Sequence, residues 1–189
     1  TVANRHSKIH VTNDEHPHQV DVSKMVTLRS AFAKHGSVTA ANSSSISDGA
    51  SALILVNSEF AIEQNLRPIA KIVAHTTQTR KPEEFTIAHV YAIEQLLVKA
   101  GWDKEDVDLW EINEAFAVVT MAAMEDMNID HEKVNVHGGA TALGHPIGAS
   151  GNRILVSLIY ALKQRGLKRG VASLCIGGGE ATAIAIELV

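Results

Sequence analysis

Residues 138–151 read Gly138-Gly-Ala-Thr-Ala-Leu-Gly-His-Pro-Ile-Gly-Ala-Ser-Gly151, a run rich in glycine and alanine. Before this run, the segment 134–136 has the apolar side chains of a short strand. After it, the segment 149–164 is apolar on most faces and long enough for a helix. A helix with so little polar surface is expected to be buried between layers. A strand, a glycine-rich loop and a buried helix in this order indicate an α/β fold.

The chain repeats this alternation from about Arg67 onward. Apolar runs of strand length predict strands at 69–74, 109–112, 171–176 and 181–188, and helical spacing predicts helices at 87–99 and 114–127. Upstream, the pattern predicts an amphipathic helix near 26–36, a strand at 50–56 and a short helix at 59–64 capped by Ser58. Strands that alternate with helices favour a sheet covered by helices.

Composition and charge exclude several classes of protein. The 189 residues include 17 basic and 21 acidic side chains, a net charge of −4, with no basic cluster. Nucleic acid and anionic membranes are therefore not expected as partners. No segment approaches the roughly 20 apolar residues of a membrane span. The one cysteine, Cys175, cannot form an internal disulfide and is typical of a reducing compartment.

Three loops that follow predicted strands contain reactive side chains: Asn113, His145 and Cys175. Each residue alone has a structural interpretation, as a helix N-cap, a turn histidine and a buried thiol. Ligands, however, usually bind at the carboxyl ends of strands in α/β proteins. A thiol with a pKa of about 8.5 needs a neighbouring base, and an imidazole can be that base. The residues alone leave two enzyme classes open, a Cys-His-Asn hydrolase and an acyl-transfer enzyme that uses Cys175 as a base.

The motifs around these residues resemble those of the thiolase family, in particular its acetyl-CoA acetyltransferases. The resemblance rests on four ordered stretches, which are Gly36–Ser44 with Asp48-Gly-Ala50, Asn113-Glu-Ala-Phe-Ala117, Gly144-His-Pro-Ile-Gly-Ala-Ser-Gly151 and Cys175-Ile-Gly-Gly-Gly179. It implies a thiolase-like layered αβα fold. Residues 1–66 would be a remnant of the N-terminal domain with its loop region, and residues 67–189 would be the C-terminal domain.

The resemblance also implies a function, an acyl-CoA C-acyltransferase that cleaves 3-ketoacyl-CoA or condenses two acetyl-CoA molecules. Cys175 matches the cysteine that moves the α-proton. His145 matches the histidine that activates the nucleophilic cysteine and helps to bind the thioester oxygen. Asn113 matches the residue that holds a water in the same oxyanion hole, and the N–H of Gly177 would belong to the second hole.

The positions implied for coenzyme A are Ser44 and Ala40 on the pantetheine, Phe32 and Phe116 packed along it, and Phe85 near the acyl end. No cofactor is implied, since the coenzyme A thioester is the substrate, and no metal is expected. His6, His10, His16 and His18 are interpreted as part of a solvated polar loop rather than as zinc ligands. The expected partners are acyl-CoA and further copies of the chain in a dimer or tetramer. The expected location is the cytoplasm, with a mitochondrial or other organelle matrix as the alternative.

The family's nucleophilic cysteine would precede Thr1. The resemblance therefore implies that the natural protein is longer and that these 189 residues alone do not turn over acyl-CoA. A non-catalytic module that binds coenzyme A is the alternative that agrees with this absence.

Overall fold

The computed structural model describes residues 2–3 and 7–189, with only the backbone described at Pro17 and Gln19. Near the N-terminus, strands β1 (Val2–Ala3) and β2 (Lys8–Ile9) form an antiparallel pair, and one helical turn, α1 (His16–Gln19), follows. Short 3₁₀ helices occur at Val22–Thr27, Ala40–Asn42, Pro82–Glu84, Lys104–Asp106 and His131–Lys133. None of the helices in residues 2–3 and 7–189 is long and apolar enough to cross a membrane.

A four-stranded mixed sheet forms the centre of the molecule. Its strands are β3 (Ala70–Thr79), β4 (Leu109–Ile112), β5 (Arg169–Cys175) and β6 (Glu180–Leu188), in the order β3-β6-β5-β4. β4 and β5 are parallel, and the other two pairs are antiparallel. The carboxyl ends of β4 and β5 therefore lie at the same edge of the sheet, where each is followed by one of the motifs.

Helices cover both faces of this sheet. α3 (Ala88–Ala100) and α4 (Ala117–Met127) lie on one face, and α6 (Ser150–Arg165) lies on the other. The shorter helix α2 (Ser58–Glu63) precedes β3, and α5 (Ala140–Leu143) precedes α6. Neighbouring residues of β5 face opposite sides, so Val171 packs in the core with α3 and α4 while Ala172 packs in the core with α6. The resulting αβα layers confirm the predicted fold class.

The boundaries around the motifs differ from the predictions in three places. α4 begins at Ala117, three residues later than predicted, and α5 forms inside the predicted loop. The predicted strand at 134–136 is wrong, since only Val134 bridges to Trp110 on β4. Asn135 has a positive φ of 46°, which removes it from extended geometry and ends the pairing.

Two predicted elements upstream are also wrong. The segment 26–36 forms a 3₁₀ turn and bends rather than a helix, and the apolar run 50–56 has no regular structure. A strand requires a neighbouring strand, and the described residues place none beside this run, so Ile54 remains 93% exposed. The segment 26–36 does not form a helix for a similar reason, because Val26 and Phe32 remain exposed and bury no apolar face.

α6 is buried on one face only, which differs from the expectation of a helix enclosed between layers. Its apolar residues, including Ile154, Leu158 and Leu162, pack on β4 and β5. Tyr160 and the last turn remain exposed. The described chain contributes a single sheet to this side of the helix, so its outer face has nothing to pack against.

Candidate active site

Asn113 directly follows β4 and is almost completely buried. Its backbone N–H donates to the carbonyl of Ser173 on β5 at 2.9 Å, which extends the parallel pairing by one residue. The N-cap of α4 is Phe116, so the Asn113 side chain is not used as a helix cap. Its carboxamide is therefore available for another role.

The structure brings Asn113 and His145 together. Nδ2 of Asn113 lies 3.4 Å from Nε2 of His145, and Nδ1 of His145 lies 2.6 Å from Oγ of Ser150. The backbone N–H of His145 donates to the carbonyl of Ser45 at 2.8 Å. Burial, together with the positive charge of Arg153, lowers the pKa of the imidazole. The ring is thus fixed at both nitrogens and held in its neutral form.

Cys175 is the last residue of β5, two positions beyond Ser173, to which Asn113 is bonded. Its side chain is buried, and this burial raises the pKa of the thiol to about 11. The group is therefore a protonated thiol at neutral pH. This environment is opposite to that of a nucleophilic cysteine, whose pKa is lowered by nearby positive charge.

Gly177 lies in the turn between β5 and β6. This turn is closed by the N–H of Gly179, which donates to the carbonyl of Ile176 at 3.0 Å. Gly179 has a φ of 103°, and a side chain there would meet the Arg80 carbonyl, so glycine is required. Among the described residues the exposed N–H of Gly177 has no hydrogen-bond acceptor, and it remains available to an oxyanion.

The loop around Ser44 contacts the motif that contains Asn113. Both the backbone N–H and Oγ of Ser44 donate to the carbonyl of Ala115, at 3.1 and 3.0 Å. Ala40 begins the 3₁₀ helix of this loop, which is capped by Thr39, and Ala40 is exposed. The structure therefore places the two residues expected to bind pantetheine on one loop, beside the candidate site.

The three phenylalanines expected along the ligand are also brought together. The ring centroids of Phe32 and Phe116 are 5.5 Å apart, and those of Phe85 and Phe116 are 6.2 Å apart, both edge to face. Phe116 is the centre of this aromatic row and is half-buried, while Phe32 is 75% exposed. A row of this kind offers flat apolar surface beside a polar loop.

Sequence reasoning missed Glu114, which connects two of the motifs. Glu114 accepts from the backbone N–H of Thr141 at 3.0 Å and from Nδ2 of Asn135 at 3.1 Å. A side chain at Gly139 would collide with the Glu114 carboxylate, so the glycine makes this contact possible. Glu114 thus ties the Asn113 motif to the loop that leads to His145. Its position directly after Asn113 was the available signal.

A buried ion pair that was also missed lies near His145. Nη1 of Arg153 on α6 is 3.8 Å from Oε2 of Glu111 on β4. Burial raises the pKa of Glu111 to about 7, although Arg153 acts in the opposite direction. Oε1 of Glu111 has no hydrogen-bond partner within the described part of the chain. The signal in the sequence was a carboxylate within the otherwise apolar Leu-Trp-Glu-Ile strand.

Across residues 2–3 and 7–189, no group of three or more His, Cys, Asp or Glu side chains is arranged to hold a metal ion. His6 lies outside the described residues. The expectation that no metal takes part therefore stays a prediction.

Comparison with known families and proteins gives a consistent result. Residues 66–188 match the family model "Thiolase, C-terminal domain", and residues 1–59 match "Thiolase, N-terminal domain". The chain is 48% identical over its full length to an acetyl-CoA acetyltransferase of Yarrowia lipolytica, covering 47% of that protein. It is 48% identical over 94% of its length to the mitochondrial acetyl-CoA acetyltransferase of Rattus norvegicus, covering 42% of that protein. The chain thus spans less than half the length of these relatives.

Solved structures agree with this match. The acetyl-CoA acetyltransferase of Bacillus anthracis superposes on the whole chain with a TM-score of 0.90 at 44% identity, and 48% of that structure is covered. A thiolase of Ascaris suum in complex with coenzyme A superposes on 95% of the chain with a TM-score of 0.84 at 41% identity, and 47% of that structure is covered.

Proposed function

The chain belongs to the thiolase family, and we propose that it forms one part of an acetyl-CoA acetyltransferase. That enzyme would cleave 3-ketoacyl-CoA with coenzyme A or condense two acetyl-CoA molecules. Under this proposal residues 1–66 belong to the N-terminal domain and residues 67–189 form the C-terminal domain. We propose that this reaction belongs to fatty acid metabolism.

The observation that carries the proposal is the contact between Asn113 and His145 at 3.4 Å. Two hydrogen-bonding side chains, held by buried partners, suit the stabilisation of a thioester enolate oxygen. Oδ1 of Asn113 is buried and has no hydrogen-bond partner among residues 2–3 and 7–189, so it has capacity to accept from a water. In the proposed reaction, Nε2 of His145 first takes the proton of the nucleophilic thiol, and this N–H and the water then donate to the enolate oxygen.

The protonation state of Cys175 fits the acid role in cleavage. When the bond between the α- and β-carbons breaks, the electron pair remains on the α-carbon as an enolate. Cys175 then gives its proton to this carbon and becomes a thiolate. In condensation, the coenzyme A that leaves during acyl transfer takes the Cys175 proton, and the resulting thiolate then removes the α-proton of the second acetyl-CoA. A thiolate whose conjugate acid has a pKa of about 11 is a stronger base than an ordinary one.

In the proposed reaction a second cysteine carries the acyl group. We propose that this cysteine lies in a part of the protein outside these 189 residues. The N–H of Gly177 would stabilise the oxyanion formed during acyl transfer to that cysteine. The coenzyme A would lie on Ser44 and Ala40 and along the row of Phe32, Phe116 and Phe85.

We also propose that the protein acts as a homo-oligomer in the cytoplasm, with neither nucleic acid nor a membrane as a partner. The exposed apolar run at 50–56 supports burial against further protein, because contiguous apolar surface of this kind usually marks an interface. The lone Cys175 supports a reducing compartment. Sedimentation of the active protein and cell fractionation test these two points.

The test of function is cleavage of acetoacetyl-CoA by coenzyme A. The 189-residue chain is measured alone and after fusion to the upstream part of the Yarrowia lipolytica relative that the chain does not cover, where we expect the family's nucleophilic cysteine. We expect no turnover by the chain alone and measurable turnover by the fusion. Cys175→Ser in the fusion should abolish turnover, and Ser157→Ala on α6 serves as the control. Turnover by the chain alone, or by the Cys175→Ser fusion, would contradict the proposal.

Two alternatives give different results in the same experiment. A module that only binds coenzyme A would retain binding but would give no turnover in the fusion. A Cys-His-Asn hydrolase would become acylated at Cys175, which mass spectrometry of the chain after incubation with acetyl-CoA would detect. The raised pKa of the Cys175 thiol argues against this second alternative.

A further inference from the structure

We propose that Ser150 is a positioning residue that fixes His145 as the tautomer with its proton on Nδ1. This inference deepens the proposed function, on which its catalytic meaning rests, but the tautomer itself is a property of the chain and can be measured without substrate. Ser150 is completely buried at the first turn of α6, five residues after His145.

The direction of the hydrogen bond between the two side chains follows from the other partner of Ser150. Oγ of Ser150 lies 3.1 Å from the carbonyl of Pro146, four residues earlier, and donates its single proton there. This pattern is common for serine in a helix. The lone pairs of the same oxygen then face Nδ1 of His145 at 2.6 Å. Since Oγ has no second proton to give, Nδ1 must be the donor.

The partner on the opposite side of the ring agrees with this assignment. Nδ2 of Asn113, which can only donate, lies 3.4 Å from Nε2. An Nε2 without a proton accepts from this amide, whereas a protonated Nε2 would place two donors against each other. Nδ1–H of His145 therefore donates to Oγ of Ser150, and the Ser150 hydroxyl donates to the Pro146 carbonyl. Each donor in this chain of hydrogen bonds faces an acceptor.

The tautomer decides which nitrogen can perform chemistry. With the proton held on Nδ1 by Ser150, Nε2 is the basic atom and lies on the side of the ring that faces Asn113. It can take a proton from a nucleophilic thiol and, once protonated, can donate to a thioester oxygen. With the proton on Nε2 instead, the ring would have no lone pair on that side and could not activate a thiol.

The test is nitrogen-15 NMR of the 189-residue chain labelled at histidine, at a pH well above the ordinary histidine pKa of about 6.5. The His145 signals are assigned by their absence in His145→Gln. We expect Nδ1 of His145 at the shift of a protonated nitrogen and Nε2 at the shift of an unprotonated one. The opposite assignment, or an equal mixture of tautomers in the wild-type chain, would overturn the proposal without the use of any variant at position 150.

Ser150→Ala removes the acceptor, so the two nitrogen shifts should move toward each other or exchange. Ser150→Cys, which keeps the volume with a much weaker hydrogen-bonding group, should give the same direction of change if the alanine variant does not fold. Ser157→Ala, on the same helix and half-buried, is the matched control and should leave both shifts in place. Unchanged His145 shifts in a folded Ser150 variant would show that this serine does not set the tautomer.

In the fused enzyme, Ser150→Ala should lower kcat at least about tenfold, since proton transfer contributes about 10²–10⁴ in rate. The KM for coenzyme A should remain nearly unchanged. An inactive fusion together with the expected tautomer would count against the proposed function alone. If Ser150→Ala changes the His145 tautomer but the fused enzyme keeps normal activity, the tautomer set by Ser150 is not needed for catalysis.

Discussion

The side chain of Asn135 bonds to both backbone groups of Ile112, in the manner of a neighbouring strand. Oδ1 accepts from the Ile112 N–H and Nδ2 donates to the Ile112 carbonyl, both at 2.8 Å. Ile112 is the last residue of β4, at the edge of the sheet, where the described part of the chain adds no further strand. Asn135 thereby satisfies the backbone immediately before Asn113 and fixes where the candidate site begins.

Two substitutions of Asn135 should distinguish the contribution of these side-chain bonds to stability from the cost of the left-handed backbone at the same position. Asn135→Gly keeps the positive φ but removes the amide, and we expect a loss of about 2–3 kcal/mol in the free energy of unfolding. Asn135→Ala also places a β-carbon in the left-handed region and should cost about 1 kcal/mol more. Urea unfolding measures both values. Equal stability of Asn135→Gly and the wild-type chain would show that the amide bonds do not matter.

Glu111 should make the stability depend on pH in an unusual direction. Its pKa is 4.5 in the unfolded chain and about 7 in the folded one, because burial disfavours the charged form. The folded state binds the proton more tightly, so this group's contribution is complete below pH 4.5 and is lost as the pH rises to about 7. The loss amounts to about 3 kcal/mol.

The measurement compares urea unfolding of the wild-type chain and Glu111→Gln across this range of pH. The glutamine variant cannot ionise, so the difference between the two curves isolates Glu111 from all other groups. We expect the wild-type chain to lose stability relative to the variant as the pH rises. Parallel curves would mean that the Glu111 carboxylate ionises in the folded state as easily as in the unfolded one.

The Cys175 thiol should react slowly with an alkylating reagent such as iodoacetamide. Because its pKa is raised from 9.0 to about 11, the thiolate fraction at neutral pH should be roughly 100-fold smaller than for an ordinary cysteine. The rate should continue to rise with pH beyond the range where the urea-unfolded chain has reached its plateau. The unfolded chain is the control, and equal rates in the two states would contradict the raised pKa.

Phe32 should contribute to coenzyme A binding without contributing much to stability. Its ring is 75% exposed and contacts Phe116 edge to face. We expect Phe32→Ala to weaken coenzyme A binding about 5- to 10-fold, in line with roughly 1 kcal/mol for an aromatic contact. Phe60→Ala, at an exposed phenylalanine of α2, is the matched control. Calorimetric titration with coenzyme A measures both, and an equal effect of the two variants would argue against a specific role for Phe32.

The sequence identified α3, α6 and the strands β4, β5 and β6 within two residues at each end, because their apolar periodicity is a local property. β4 is an example, with its observed bounds at Leu109–Ile112 as predicted. Local patterns were misleading at 50–56, where an apolar run has the composition of a strand but no neighbouring strand in the described chain. They also missed the left-handed conformation of Asn135, which depends on the bonds it makes to a strand more than twenty residues away.

The amino-acid sequence by itself determined the layered α/β class and the identity of Asn113, His145 and Cys175 as the chemical groups of interest, because residue type and spacing are written in it directly. The tertiary structure decided that Asn113 touches His145, that Ser150 occupies the other side of the ring, and that burial keeps the Cys175 thiol protonated. The burial of Cys175 and the contact of Asn113 with His145 depend on residues distant in the chain, and only folding brings those residues together. The Ser150 contact is closer in the chain, but it requires the first turn of α6 to form.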